Sequence, residues 1–215
     1  MGKIKKITYW GIAGSGKTTI IDTLHKLTKE EEKDIVPKGQ IVKIAKDSGA
    51  TLYYDRGYFY SRNDQQQLYN VVTVAGQKSF SPIRKRVFQD TDGCVFVVDS
   101  QTKFFEDNIE SLKELAIVSE RKLISEIPFI IMLNKQDLSN VIKTEDFEQI
   151  LKEEHLWFDV KEDLSTWNPI IYETCALYNQ KKDIYRSFYE CVRRTEIYET
   201  FGDGKAPKRD LELEV

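Results

Sequence analysis

Residues Gly11 to Thr18 read GIAGSGKT and fit the spacing G-x-x-x-x-G-K-[ST] of a phosphate-binding loop. Such a loop works only where a strand runs into it and a helix leaves it. The apolar run KITYW before it and the helical pattern TTIIDTLHKL after it supply both. This junction constrains the fold to an α/β class with ligands at the carboxyl ends of the strands. Gly11, Gly14 and Gly16 allow a tight turn that presents N–H groups to a phosphate. Lys17 brings a point charge to the terminal phosphates, and Thr18 offers a hydroxyl to Mg²⁺. The helix starting near Lys17 adds its positive end. The candidate phosphate set is therefore Gly11, Ala13, Gly14, Ser15, Gly16, Lys17, Thr18 and Thr19.

Strand-like runs and helical patterns alternate along the rest of the chain. Ile4 to Trp10, Thr51 to Tyr54, Leu68 to Val74, Gly93 to Asp99, Phe129 to Leu133 and Pro169 to Thr174 read as strands. Thr18 to Lys29, Phe104 to Ser125, Thr144 to Glu154 and Asp183 to Tyr198 read as helices. Glu30 to Ala50 is polar, contains Pro37, Gly39 and Gly49, and reads as a long loop. The short connection from the second strand to the third calls for an antiparallel hairpin. The expected architecture is a mostly parallel six-stranded sheet with one antiparallel strand and helices on both faces. One domain over residues 1–201 is expected, followed by an aperiodic, disordered tail over 202–215.

The 215 residues suffice for one domain with a full core. A net charge of −3 gives no electrostatic case for a nucleic-acid partner. Cys94, Cys175 and Cys191 are unpatterned, which suits reduced thiols in a cytoplasmic protein. No apolar run has the length of a membrane span, and Lys6 stands where a myristoylation signal wants Ser or Thr, so no intrinsic membrane anchor is expected.

Asn134-Lys135-Gln136-Asp137 follows the FIIML strand directly. A carboxylate here accepts two hydrogen bonds from guanine N1–H and its exocyclic amine, a donor pair that adenine lacks. Lys135 can cover the purine face, and Asn134 can tie this loop to the phosphate loop. A solvated turn with Asp137 as a helix cap is the bland alternative.

Two further segments carry a resemblance. Glu173-Thr174-Cys175-Ala176 resembles the E-x-S-A-K motif of Ras-like GTPases, which implies that Cys175 and Ala176 border guanine, with the Ala176 N–H at O6. Thr73-Val74-Ala75-Gly76-Gln77 resembles their D-x-x-G-Q motif, in which the glycine N–H meets the γ-phosphate and the glutamine orients the attacking water. Thr73 replaces the Asp that holds Mg²⁺ through water. That replacement is similar to the T-V-P-G-Q of the MglA-type polarity GTPases of bacteria and archaea. Thr51-Leu52-Tyr53-Tyr54-Asp55 and Asp92 to Gln101 resemble the T-L-F-F-D and D-G-V-V-F-V-A-D-S-Q segments of the same group.

The resemblance implies a Ras-like G domain, a P-loop NTPase, that takes GTP/GDP and Mg²⁺. Gln77 and Lys17 would be catalytic, and Thr18 and Thr51 would hold the metal, with Thr51 and Gly76 sensing the γ-phosphate. It also implies protein partners: an effector and a GTPase-activating protein, for which the resembling family suggests a roadblock-type dimer. In that family an Arg usually precedes the Thr51 position and serves as an arginine finger, worth about 10³–10⁵ in rate. Here Ala50 stands in its place, so slow unassisted hydrolysis is expected, with Arg56 or Arg62 as substitutes after loop movement. A GTP-holding scaffold without useful hydrolysis is the alternative. The aromatics Tyr53, Tyr54, Tyr58, Phe59 and Tyr60 suit either core packing or a protein interface.

Overall fold

A computed structural model describes residues 4–45, 51–64, 66–77 and 81–208, with side chains at all of these except 44, 45, 51–54, 81 and 82. The first strand, β1 (Ile4–Trp10), runs into the glycine loop, and α1 (Lys17–Glu30) leaves it. Three strands follow: β2 (Ile35–Ala45), β3 (Thr51–Ser61) and β4 (Leu68–Thr73). Then come α2 (Ser81–Phe88), β5 (Gly93–Asp99), α3 (Phe105–Val118), β6 (Phe129–Asn134), α4 (Thr144–Glu153), β7 (Ile170–Thr174) and α5 (Ile184–Gly202).

Among the described residues seven strands form one sheet in the order β2-β3-β4-β1-β5-β6-β7. β1 pairs in parallel with both β4 and β5, and β5–β6 and β6–β7 are parallel as well. β3 is antiparallel to both of its neighbours, β2 and β4, so it alone runs against the rest. The expected mixed sheet is present with one strand more than the six read from the sequence. The extra strand is β2, inside the segment read as a loop. Its polar residues face outward on an edge strand, where Lys38, Gly39 and Gln40 are exposed and Ile35 and Val36 are buried. Pro37 is tolerated there because an edge strand has a side that needs no N–H donor.

Alternation on the central strands sorts the core onto two faces. Val95 and Val97 of β5 join Ile7, Tyr9, Ile20, Leu24 and Phe188 beneath α1 and α5. Cys94, Phe96 and Val98 point the other way, into Trp10, Leu112, Leu115 and Phe147 beneath α3 and α4. Each fully buried Val, Leu, Ile or Phe contributes about 1.5–3 kcal/mol. The third helix stops earlier than periodicity suggests. Glu120 and Arg121 take positive φ (55° and 61°), and the Arg121 N–H bonds to Ala116 O, closing the helix end.

The Ala206 N–H donates to Ser125 O (2.8 Å), and Trp167 Nε1 donates to Pro207 O (2.9 Å), so residues 203–208 lie along the body. Residues 209–215 lie outside the described residues. No helix among the described residues is long and apolar enough to cross a membrane.

Candidate nucleotide-binding site

The carboxyl ends of β1, β4, β5, β6 and β7 bring the candidate motifs together. A cavity of about 270 Å³ is lined by Ala13, Gly14, Gly16, Lys17, Thr18, Thr19, Thr73, Val74, Gly76 and Gln77. Gly16 has φ 98°, a left-handed conformation that suits glycine, and a Cβ there would collide with the Asn134 amide. Lys17 is 7 % exposed, and its Nζ donates to Gly11 O (2.8 Å) and Ile12 O (2.7 Å). Burial pushes its ammonium pKa down to about 7; the Arg84 charge adds to the fall and the Asp55 carboxylate opposes it. A polyanion at the loop would favour the charged form.

Gly76 packs onto the phosphate loop so closely that a Cβ would collide with the backbone of Ile12 and Ala13. The Val74 N–H bonds to Tyr9 O (3.1 Å), which keeps the end of β4 on β1. Gln77 is exposed at the cavity rim.

Sequence reasoning missed the partner of Thr18. The Thr18 hydroxyl donates to Asp55 Oδ2 at 2.5 Å, and Asp55 is 2 % exposed. Thr73 holds Asp55 in place: the Asp55 N–H donates to Thr73 Oγ1 (2.8 Å), and the Thr73 hydroxyl lies 3.3 Å from Asp55 Oδ2. The carboxylate absent from the end of β4 thus comes from the neighbouring strand β3. The signal was a lone carboxylate in an aromatic strand, YYDRGYFY. A hydroxyl and a buried carboxylate are hard oxygen donors, the chemistry Mg²⁺ prefers, so Thr18 and Asp55 fit that ion. Thr51 begins β3 opposite Ala45 in backbone register, but its side chain lies outside the described residues, as does Ala50.

Neither substitute arginine lines the cavity. Arg56 leaves β3 on the face opposite Asp55, where its Nε donates to Asn70 Oδ1 (3.0 Å) and its guanidinium covers Tyr58. Arg62 follows β3 at the far end of the sheet, where its N–H donates to Asp34 O (2.7 Å). Of the described aromatics in the stripe, Phe59 is fully buried against Phe188, whereas Tyr58 and Tyr60 are half-buried.

The segments expected to read the base are laced to the loop. Asn134 Nδ2 donates to Ser15 O (2.8 Å), and the Gln136 N–H donates to Thr174 O (3.1 Å). Lys135 takes φ 73°, and its Nζ reaches Asp99 Oδ2 at 2.6 Å; Asp99 is 1 % exposed, so this pair fixes the lysine stem. Thr23 Oγ1 donates to Ala176 O (2.6 Å), anchoring the Cys175–Ala176 turn to α1. Cys175 and Ala176 are buried while Asp137 is exposed beside them, free to meet a ligand edge. Burial first, and the Asp137 carboxylate after it, hold the Cys175 thiol above its ordinary range, so it stays neutral.

The family model for "ADP-ribosylation factor family" matches residues 1–188. The chain is 30% identical over 162 residues to the mutual gliding-motility protein MglA of Myxococcus xanthus, covering 70% of this chain and 77% of that protein. It is 32% identical over 153 residues to ADP-ribosylation factor-like protein 3 of Caenorhabditis elegans, covering 70% and 71%. It is 28% identical over 178 residues to ADP-ribosylation factor-like protein 2 of Drosophila melanogaster, covering 82% and 80%. These matches, over a chain whose strand–loop–helix junction and NKQD turn lie on one edge of the sheet, show that it belongs to the ADP-ribosylation factor family of Ras-like small GTPases, the small GTP-binding switch proteins.

Proposed function

We propose that this GTPase binds GTP and GDP with Mg²⁺, hydrolyses GTP slowly by itself, and depends on an activating protein partner for fast turnover. The observation that carries this reading is the convergence of Lys17, Thr18, Gly76 and Gln77 around one phosphate-sized cavity, with Asp55 bonded to Thr18 and no arginine of β3 in the cavity lining. Thr18 and Asp55 would hold Mg²⁺, which when bound neutralises charge on the phosphates. Asp137 reads the guanine edge, and the Cys175–Ala176 turn closes the far side of the base. The Gly76 N–H meets the γ-phosphate, so the segment beyond β4 senses whether that group is present. In hydrolysis, the Gln77 amide orients a water toward the γ-phosphorus. Its oxygen forms the new P–O bond as the bond to the β–γ bridging oxygen breaks. Lys17 stabilises the charge that collects on the departing GDP. An effector would read the ordered segment, and a roadblock-type dimer suits the activator's role by family resemblance.

The test has two parts. Nucleotide released from the purified protein by denaturation should be guanine nucleotide, mostly GDP. Single-turnover hydrolysis should be slow in the wild type and fall to background in Gln77→Leu. Equal rates in the two proteins would remove Gln77 from the reaction. Retention of mostly GTP would favour a scaffold that holds the triphosphate.

A further inference from the structure

α2 contributes an arginine that the sequence motifs do not touch. Arg84 is 3 % exposed, deep for a guanidinium that has no neutral form to retreat to. Its Nη2 donates to Glu114 of α3, joining the two helices. Its guanidinium lies over the Trp10 ring, 5.2 Å from the centroid. Trp10 is itself fixed by Nε1 donating to the Ser111 carbonyl and hydroxyl (both 3.1 Å), and it immediately precedes Gly11 of the phosphate loop. The Arg84 Nε is buried without a partner among the described residues. Arg84 also lines a cavity of about 530 Å³ together with Ala13, Gly76, Gln77 and Glu114. One buried arginine therefore touches α3, rests on the end of β1, and borders the two residues on which γ-phosphate chemistry depends.

We propose that Arg84, locked to Glu114 over Trp10, is an internal positioning residue that holds the Gly76–Gln77 segment against the phosphate loop and so sets GTP preference and turnover. This rests on the GTPase reading above and adds a residue to it. The physical argument is geometric. Arg84 of α2 lines the same cavity wall as Gly76 and Gln77, so the position of α2 bears on where that pair lies. Gly76 touches the backbone of Ile12 and Ala13 with no room to spare, so a small retreat of α2 removes its N–H from the γ-phosphate position. A planar guanidinium bonded to a carboxylate through Nη2 and laid over an aromatic face is fixed in orientation in a way a single ammonium is not. Arg84 acts through the segment it positions and need not touch the nucleotide.

The experiment uses the full chain and compares wild type with Arg84→Met, Arg84→Lys and Glu114→Gln. Methionine keeps the apolar volume between α2 and α3, so the fold survives the loss of the fork. Affinity for GDP and for a non-hydrolysable GTP analogue, and the single-turnover rate, are measured alongside thermal melting. In Arg84→Met the preference for the GTP analogue over GDP and the single-turnover rate should each fall about tenfold or more. GDP affinity should stay within about twofold, and the selective losses should persist when measured well below the variant's melting transition, which the loss of a buried ion pair lowers. Arg84→Lys should recover part of both losses, and Glu114→Gln should reproduce them in weaker form. Wild-type preference and rate in Arg84→Met would overturn the proposal while leaving the GTPase reading intact. Equal loss of GDP and GTP-analogue binding with a lowered melting temperature would overturn it too, in favour of a purely structural pair. A wild type that binds no guanine nucleotide would remove the GTPase reading and this proposal with it.

Discussion

Moving the site's carboxylate between two strands gives a sharp test of the metal-binding arrangement. In the wild type Asp55 on β3 supplies the charge, and Thr73 on β4 supplies only a hydroxyl, with Thr73 Oγ1 3.3 Å from Asp55 Oδ2. Thr73→Asp places a second carboxylate at that distance in a site where Asp55 is 2 % exposed. Two like charges so close repel by about 5 kcal/mol at an effective dielectric constant of about 20. That is comparable to the whole stability of many domains. The pair relieves itself by taking up a proton, so the variant binds more protons folded than unfolded and loses stability as pH rises through the raised carboxyl pKa. The expected signature is a melting temperature about 5–15 °C lower at pH 7, with the deficit shrinking on acidification and on addition of Mg²⁺ with nucleotide.

The double variant Asp55→Asn/Thr73→Asp restores one carboxylate to the site on the other strand. It should recover most of the melting temperature and most of the Mg²⁺ dependence of nucleotide retention. Asp55→Asn alone removes a charged acceptor worth about 1.5–3 kcal/mol, so nucleotide should leave about 10- to 100-fold faster in the presence of Mg²⁺. The release rate of a fluorescent GDP, with and without a chelator, reads this directly. Unchanged melting in Thr73→Asp together with unchanged Mg²⁺ dependence in Asp55→Asn would refute the reasoning: Asp55 would then be a buried hydrogen-bond acceptor with no share in the metal site.

Gly76→Ala should weaken GTP-analogue binding about tenfold or more while sparing GDP, because the added Cβ forces the segment off Ile12 and Ala13; competitive titration of the two nucleotides checks it. Asp137→Ala should cost GTP about 100-fold in affinity and leave weak ATP binding as it is, since only guanine loses its paired acceptor. Burial is the first cause that holds the Glu196 carboxyl above its ordinary range, with Oε1 lacking a hydrogen-bond partner among the described residues. Its folded-state pKa exceeds the unfolded value, so its ionisation removes stability as pH rises through that raised value. Glu196→Gln should therefore melt about 1–3 °C higher at pH 7 and lose that advantage below about pH 4.5, read by thermal scans across pH.

Motifs read along the chain located the phosphate loop, the NKQD turn and the Gly76–Gln77 segment because each works through consecutive backbone. The buried strands of the sheet were legible for a similar reason: GCVFVVD and FIIML are covered on both faces and carry no polar interruption. β2 is illegible in the sequence because an edge strand tolerates polar residues, glycine and proline, and its identity depends on the strand that pairs with it. The helix over 105–118 was read too long because Leu123 and Ile124 continue the apolar period while the backbone turns away at Glu120 and Arg121.

Asp55 and Thr73 illustrate the deeper limit. They are 18 positions apart, and the segments that carry them, read one at a time, say nothing of their contact. The antiparallel register of β3 on β4, with Arg56 opposite Val72, is what sets Asp55 beside Thr73 and directs both toward Thr18. Strand alternation then sends Arg56 to the other face, which explains with one parity why the carboxylate enters the site and the neighbouring arginine does not. A site can thus keep its charge while exchanging the strand that carries it, and only pairing reveals the exchange. Read from Thr73 alone, the metal site looks weakened. Read across the hairpin, one buried carboxylate and one hydroxyl stand in contact beside Thr18, the donor set that the proposed Mg²⁺ would take.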